Sequence, residues 1–378
     1  MYDTQVLVIG AGPTGLALAA SLAARGVSAT VVDQQTAGAN TSRAAVVNAR
    51  TLEVLEHVDV ARRLVKEGVE APLFTIRDRG RTLIPIDFSG LPTDYPYSLM
   101  VPQSTTERLL LERLQELGGS VQRPRTVTAI NQDADGVTAT FEDGDVIRAR
   151  YVVGADGIRS IVRQQAGIDF EGSVYDESFM LADVRLSGDA PHEEVILYWA
   201  TAGLTVVAPL PDGTYRIVAP VADAPEEPSA QFVQQILDTR VGADRLVVTD
   251  VIWGSRFRVH HRVADTFRAG RLLLAGDAAH VHSPAGGQGM NLGIQDAIAL
   301  ADALAAVLGG APDSLLDDYS DVRRPIAKDV VTMTDRLTRL ATAPRAARPI
   351  RNAVIGVLGR VPRVRLALAR RLSGLVYR

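Results

Sequence analysis

The segment LLLAGDAAHVHSPAGGQGMNLGIQDA, residues 272–297, combines residue types that can hold a negatively charged ligand. Its short apolar strand leads to Asp277, whose carboxylate can accept a hydrogen bond from a sugar-like hydroxyl. A helix is predicted to begin near Met290, and its first free N–H groups and positive dipole end favour negative charge. A glycine loop that only packs under another helix is the alternative. The loop before the helix contains Pro284, Gly286, Gly287 and Gly289.

A similar strand-to-helix junction opens the chain. The apolar run QVLVIG predicts a strand, and PTGLALAASLAARG has helical spacing with Gly26 as its stop. Between them, GAGPTG matches G-x-G-x-x-G, and the next strand, SATVVD, ends in Asp33. The glycines of this motif permit a tight turn, a close pyrophosphate and helix packing, and the acid can hold a ribose hydroxyl. The pattern predicts dinucleotide binding, against the alternative of a purely structural turn.

A third segment, ARYVVGADGIRSIVRQQAGI, predicts a strand, a turn at Asp156-Gly157 and a helix carrying Arg159 and Arg163. If the three strands share one sheet, their turns meet at the edge where ligands of open α/β sheets bind. One long ligand touching all three turns would explain their separation along the chain. Flavin adenine dinucleotide (FAD) has that length, and a helix N-terminus suits its isoalloxazine, which is anionic when reduced.

Bulk composition excludes several classes of protein. A chain of 378 residues with 47% apolar and 22% charged residues predicts a globular protein of two domains. It contains no cysteine, so disulfides and thiolate chemistry are excluded. A formal charge of −4 argues against nucleic-acid binding, and the N-terminus lacks a basic signal region, so we expect a cytoplasmic protein without membrane insertion. His280 and His282 lack a third ligand at useful spacing, so no metal site is expected.

The three motifs in this order resemble the class A flavoprotein monooxygenases, the single-component aromatic hydroxylases with the p-hydroxybenzoate hydroxylase fold. The segments SRAAVVNARTLEVLE, VPQSTTERLLLERLQELG and RPIAKDVV are similar to the branch that hydroxylates aromatic polyketides and phenols. The resemblance implies an α/β fold. A Rossmann-like FAD-binding domain of the GR2 type would carry an inserted antiparallel β-sheet substrate domain and C-terminal helices.

The resemblance also implies an activity: NAD(P)H reduces FAD, O2 adds to form a flavin C4a-hydroperoxide, and a phenolic or polycyclic aromatic substrate is hydroxylated. Antibiotic biosynthesis by a monomer or homodimer is the expected setting. The same flavin chemistry could instead serve epoxidation, Baeyer–Villiger oxidation or antibiotic inactivation. A non-redox FAD-containing cyclase or binding scaffold is the alternative from another class.

The family's cofactor residues carry over by position. Glycines of the first motif would pack on the pyrophosphate, with Asp33 on the adenosine ribose and Val127 giving a backbone contact to adenine. Asp156 would serve both FAD and the nicotinamide cofactor, Asp277 would bind the ribityl chain, and residues 284–292 would wrap the isoalloxazine. The full set implied is Gly10, Gly12, Pro13, Gly15, Asp33, Gln34, Arg43, Gln103, Val127, Asp156, Asp277, Pro284, Gly287, Gly289, Met290, Asn291 and Leu292.

The remaining segments predict a second half of the site. Alternating patterns such as FTIRDRGRTLIPI and EEVILYWA predict strands, and LPDG predicts a hairpin turn. Substrate is expected between this sheet and the glycine loop; Tyr198 and Trp199 are candidate contacts, one of them facing inward, unless both are core aromatics. No catalytic base is identified. The predicted division is 1–71, 101–173 and 262–340 for FAD, 72–100 and 174–261 for substrate, and 341–378 for C-terminal helices.

The C-terminal helices are expected to pack on the FAD domain, with a membrane-surface helix as the alternative. Relatives of this family often continue into a thioredoxin-like third domain, which we expect to be absent here. Many relatives also read N-L-x-W-K-L-A after the last motif, where this chain has AIALADALAAVL.

Overall fold

The computed structural model describes residues 2–38, 44–284 and 286–378. Its strands, in chain order, are β1 (Thr4–Ile9), β2 (Ala29–Val32), β3 (Val46–Val47), β4 (Val69–Ala71), β5 (Leu73–Asp78), β6 (Arg81–Asp87), β7 (Ser98–Met100), β8 (Val121–Gln122), β9 (Val127–Gln132), β10 (Val137–Phe141), β11 (Val146–Gly154), β12 (Phe170–Gly188), β13 (Glu194–Ala200), β14 (Gly203–Pro209), β15 (Tyr215–Val221), β16 (Leu246–Ala264), β17 (Arg268–Ala269), β18 (Leu272–Leu274) and β19 (His280–Val281).

The α-helices, in chain order, are α1 (Pro13–Ala24), α2 (Ala49–Leu55), α3 (Ala61–Glu67), α4 (Gln103–Glu116), α5 (Ile161–Gln165), α6 (Ala230–Arg240), α7 (Gly289–Leu308), α8 (Leu315–Ala341), α9 (Arg348–Leu358) and α10 (Pro362–Leu372). One of the 3-10 turns, Gly276–Ala278, follows β18. The α/β class expected from the sequence is confirmed.

The first sheet brings the three predicted junctions together. Its order is β17-β18-β11-β1-β2-β8, and β18, β11, β1, β2 and β8 run parallel. Leu274 pairs with Gly154, Gly154 with Ile9, and Ile9 with Val32, so four neighbouring strands end level with one another. The turns after β1, β11 and β18 therefore lie along one sheet edge, as the sequence predicted.

Apolar residues on both faces explain why these strands are parallel and central. Val6, Leu7 and Val8 of β1 are all fully buried, as expected when helices cover both sides of a sheet. Helix α1 starts with Pro13 in its first turn and ends before Gly26, whose φ of 72° suits glycine. The predicted start and stop of this helix are confirmed.

The second sheet has the order β19-β16-β12-β15-β14-β13-β5-β6. Its neighbours are antiparallel except for β13 and β5, which pair in parallel, so the sheet is mixed rather than purely antiparallel. The hairpin β5–β6 is far from β13 along the chain, so no tight turn fixes the direction in which β5 pairs with β13. The LPDG turn between β14 and β15 is confirmed, with the Leu210 N–H donating to the Thr214 carbonyl.

The C-terminal helices differ from the expectation in their packing partner. Both α9 and α10 pack against β6 of the second sheet, because Leu83, Ile84 and Trp199 present an apolar surface there. The end of the tail also reaches the FAD-binding part, where the Ser373 carbonyl accepts from the Arg50 N–H. Helix α7 is long and apolar enough to cross a membrane, but 67% of its apolar window is buried inside the fold.

Candidate active site

The first glycine motif combines two packing glycines with one open position. A Cβ on Gly10 would lie 2.3 Å from the Ala155 carbonyl oxygen, and one on Gly15 would lie 1.9 Å from the Gly10 carbonyl oxygen. A Cβ on Gly12 would meet nothing within 4 Å. The outer glycines are therefore required by the fold, whereas Gly12 leaves space beside Pro13 at the N-terminus of α1. A pyrophosphate is the group that such a space accommodates.

Asp33 is held beside this loop at the end of β2. Its Oδ2 accepts from the Ala11 N–H at 2.7 Å, and its Oδ1 accepts from the Gln35 N–H at 2.8 Å. The carboxylate is thus oriented before any ligand binds. The neighbouring Gln34 is exposed on the same rim.

Arg123 is a cation at this loop that the sequence analysis missed. It follows β8, the outermost parallel strand, and its Nη2 donates to the Ala11 carbonyl at 3.0 Å. The Nε atom of Arg123 is buried and makes no hydrogen bond to the described residues. Its position after the carboxyl end of a parallel strand was the available signal, but β8 spans only two residues, Val121–Gln122.

Asp156 stands at the second junction, in the turn before α5. Its Oδ2 accepts from the Ile161 N–H at 2.8 Å, while its Oδ1 is buried and has no partner among the described residues. Burial raises the pKa of this carboxyl group. An oriented, unsatisfied carboxylate oxygen of this kind fits a ligand hydroxyl or N–H.

The two arginines of this junction have different environments. Helix α5 begins at Ile161, so Arg159 lies in the exposed turn before it and not on the helix as predicted, because Ser160 takes the N-cap position. Arg163 is buried and donates to the Ala278 carbonyl at 2.8 Å. Its guanidinium also lies 3.9 Å from the Phe170 ring centroid. Arg163 therefore ties the second junction to the third.

The third junction places Asp277 on the rim of the sheet edge. Asp277 is exposed in the 3-10 turn, between Gly276 and Ala278, which are both buried. Glycine is needed at 276 because its φ is 63° and a Cβ there would lie 2.5 Å from Thr14 Oγ1. Since Thr14 belongs to α1, this packing joins the first junction to the third.

Asn291 organises the glycine loop before α7. Its Nδ2 donates to the carbonyls of Val46 (2.9 Å) and Gly287 (2.7 Å), and its Oδ1 accepts from the Asn48 N–H at 2.8 Å. Asn291 and Leu292 are buried, so this part of α7 anchors the loop from behind. Pro284 is exposed, and Gly286, Gly287, Gly289 and Met290 are partly exposed.

A buried ionic cluster supports the same loop. His280 Nε2 lies 2.5 Å from Asp296 Oδ2, and Arg323 Nε lies 2.6 Å from Asp296 Oδ1. Burial alone would raise the pKa of Asp296, but Arg323 and His280 outweigh it and hold that pKa below its usual range. The position of His280 is thus explained by a carboxylate of α7.

His282 lies at the start of the loop, with an unusual hydrogen-bonding state. Its Nδ1 lies 2.9 Å from the Ser283 carbonyl and donates to it, while its Nε2 is buried and has no partner among the described residues. Burial lowers the pKa of His282 to about 4. The ring is therefore a neutral hydrogen-bond acceptor close to Gly289.

Three further candidates were carried over from the family: Gln103, Val127 and Arg43. Gln103 begins α4; its Oε1 accepts from the Ala44 N–H at 3.3 Å, and its Nε2 donates to Glu107 Oε1 at 2.8 Å. Val127 is buried at the start of β9. Arg43 lies outside the described residues.

One face of the second sheet, the inner face, turns toward the glycine loop. Arg216 of β15 donates from Nη1 to the Ala44 carbonyl at 3.0 Å and is paired with Asp183 of β12 at 2.7 Å. Val46, two residues after Ala44, packs against Gly287 of the glycine loop. Partly exposed apolar side chains line the inner face: Leu197, Val206, Val218 and Phe257.

The two aromatic candidates are on opposite faces of this sheet. Tyr198 is buried on the far face, in the cluster that includes Val233 and Leu237 of α6. Trp199 shares the inner face with Leu204 but is buried under the C-terminal helices. The sequence analysis did not identify the inner-face residues Leu197, Val206, Val218 and Phe257. Period-two alternation from Trp199 could have identified Leu197.

Known proteins are similar to this chain in sequence and in fold. Residues 3–334 match the FAD binding domain family. The 12-dehydrotetracycline 5-monooxygenase/anhydrotetracycline 6-monooxygenase of Streptomyces rimosus subsp. rimosus is 38% identical, covering 100% of this chain and 77% of that protein. The p-nitrophenol 4-monooxygenase PnpA of Pseudomonas putida superposes with a TM-score of 0.86 at 28% identity, covering 98% of both chains. The Diels-Alderase PyrE3 of pyrroindomycin biosynthesis gives a TM-score of 0.84 at 32% identity, covering 98% and 80%.

The protein belongs to the FAD binding domain family. It is an FAD-dependent monooxygenase of the aromatic hydroxylase class, as the resemblance implied.

Proposed function

We propose that the protein hydroxylates a phenolic or polycyclic aromatic substrate, using O2 and NAD(P)H, on the inner face of the second sheet. The observation that carries this proposal is the juxtaposition of two surfaces. Arg216 of the inner face donates to the Ala44 carbonyl, and Val46, two residues further on, packs against Gly287 of the glycine loop. A flat apolar substrate fits between an apolar sheet face and a glycine loop.

The residues present fit FAD in an extended pose. We propose that Gly12 and the N-terminus of α1 take the pyrophosphate, that Asp33 and Arg123 lie at the adenosine end, and that Asp277 lies at the ribityl chain. Bound FAD supplies the redox chemistry, accepting hydride from NAD(P)H and activating O2. The positive end of α7 would favour negative charge on a cofactor ring held there. Apolar side chains of the inner face position the substrate and exclude water.

We also propose a cytoplasmic location, because α7 is buried as a core helix and because we expect NAD(P)H to supply the hydride. A small-molecule aromatic substrate is the expected partner, and a monomer or homodimer the expected assembly.

A direct test combines substrate and oxygen labelling. Purified holoprotein with isotope-labelled O2 and NADH or NADPH is incubated with a panel of phenols and polycyclic quinones. We expect NAD(P)H oxidation that a substrate accelerates, and a product heavier by one labelled oxygen atom. Val218→Trp, which fills the inner face, should lower kcat/KM with unchanged FAD content. Substrate-independent NAD(P)H oxidation with no labelled product from the panel would argue against hydroxylation.

Because the chain is similar to a Diels-Alderase, a second candidate function is that of a cyclase that holds FAD without redox turnover. The same experiment distinguishes it. A product of unchanged mass, formed without NAD(P)H and O2, would favour the cyclase.

A further inference from the structure

Helix α9 exposes an apolar stripe to solvent. Ile350, Val354 and Val357 are 70%, 54% and 61% exposed, and Leu358 and Val361 are 44% and 40% exposed. Ile350, Val354, Val357 and Leu358 follow helical spacing and so occupy one side of α9, and Val361 lies just beyond the end of that helix. These five residues are called the α9 stripe. Single exposed apolar residues are common, but a contiguous apolar patch marks an interaction site.

The inner side of α9 buries two polar residues beside the apolar Ile355. Arg351 and Asn352 are buried on its inner side, where both donate to the Trp199 carbonyl, at 3.1 Å and 3.0 Å. The Arg351 guanidinium also lies 5.0 Å from the Trp199 ring centroid. Polar side chains of α9 are thus buried while aliphatic ones are exposed to solvent. This arrangement fits an apolar environment outside the α9 stripe.

Positive charge is concentrated in the C-terminal segment that carries the stripe. Residues 336–378 contain eleven arginines and no Asp or Glu, although the whole chain has 40 basic and 44 acidic residues. The preceding 335 residues therefore hold 29 basic and 44 acidic residues, a strong asymmetry. Arg360 follows α9, and the exposed side of α10 carries Arg363 and Arg370 beside Leu366, which is 45% exposed.

We propose that the α9 stripe and the basic side of α10 dock on the surface of an anionic phospholipid bilayer. Aliphatic side chains would enter the headgroup–acyl boundary, and the arginines would contact lipid phosphates. The proposed attachment is peripheral, and α9 and α10 do not cross the bilayer. A two-fold contact between copies of the chain is disfavoured, because a self-complementary interface would bring these arginines against each other.

Vesicle flotation tests this docking. Holoprotein is mixed with vesicles of phosphatidylcholine, with or without one third phosphatidylglycerol, at low and high KCl. We expect binding to the anionic vesicles and weak binding to the neutral ones, with high salt reducing the bound fraction. Arg363→Gln combined with Arg370→Gln should weaken binding to anionic vesicles several-fold.

A matched pair of variants isolates the stripe. Val357→Asp should lower the partition onto anionic vesicles at least tenfold, whereas Val322→Asp, at a valine 59% exposed on α8, should leave it unchanged. FAD content and thermal unfolding confirm that both variants are folded. The proposal is overturned if anionic vesicles do not bind, or if the two variants bind equally. It is also overturned if Val357→Asp dissolves a dimer seen by ultracentrifugation, or if poly-glutamate binds as tightly as vesicles.

Discussion

At the residue scale, the glycines of the first motif have separable roles. Gly15 lies under the Gly10 carbonyl, so Gly15→Ala should force backbone movement and lower the free energy of unfolding by about 2 kcal/mol or more. Gly12 has φ −78° and an open Cβ direction. Gly12→Ala should therefore leave apoprotein stability nearly unchanged and weaken FAD binding. Urea unfolding of both apoproteins, with FAD titration, checks this; equal destabilisation would contradict it.

His282 makes a second residue-scale prediction, about acid sensitivity. Its pKa is lowered to about 4 in the fold, against about 6.5 in an unfolded chain. Between these values the unfolded state binds a proton that the native state does not, so stability falls as the pH falls through this window. His282→Asn keeps a donor for the Ser283 carbonyl and should reduce the loss.

The measurement is urea unfolding at pH 7 and pH 5. The wild type should lose about 2 kcal/mol more than His282→Asn over that interval. His57→Asn, at an exposed position on the surface, serves as the control and should behave like the wild type. Parallel losses in all three proteins would show that His282 is not the acid-sensitive group.

At the element scale, the Arg216–Asp183 pair joins β15 to β12 of the second sheet, and Arg216 also donates to the Ala44 carbonyl. Arg216 is only 4% exposed at its side chain. Asp183→Asn should cost about 3 kcal/mol, because it leaves a buried guanidinium without its counter-charge. The double variant Asp183→Asn with Arg216→Met should recover part of that loss. Unfolding of the single and double variants gives the coupling, and strictly additive losses would contradict it.

The same elements show where sequence reasoning succeeds. Each strand-to-helix junction is local, since a few residues determine its turn, its glycines and its acid, and all three junctions were predicted. Their convergence followed from a general property of parallel strands. Alternation also indicated that Tyr198 and Trp199 face opposite sides, but the choice between them depends on how β13 pairs with β14 and on what covers each face.

Long-range packing was beyond the same reasoning. Parallel pairing of β13 with β5 joins segments far apart in the chain, and nothing local dictates its direction. The support of α9 and α10 on β6 depends on apolar residues of another segment, such as Leu83. Arg123 was missed because a two-residue strand carries too little pattern to be recognised.

At the scale of the whole molecule, we propose that one cofactor spans the first sheet edge. We propose that the adenosine end lies at β1 and β2 and that the flavin end lies at β18 and α7. A ligand that is only the adenosine half, such as ADP, should therefore sense the first junction and not the third. This difference separates one extended site from two independent anion sites.

The most direct test is calorimetric titration of the apoprotein with FAD and with ADP, for the wild type and for Asp277→Ala. Asp277 is exposed, so its replacement should not unfold the protein. We expect one FAD per chain, an FAD affinity weakened about tenfold or more by Asp277→Ala, and an unchanged ADP affinity. An FAD affinity that ignores this substitution, or an equal loss for FAD and ADP, would contradict a single FAD stretched along the three strand ends.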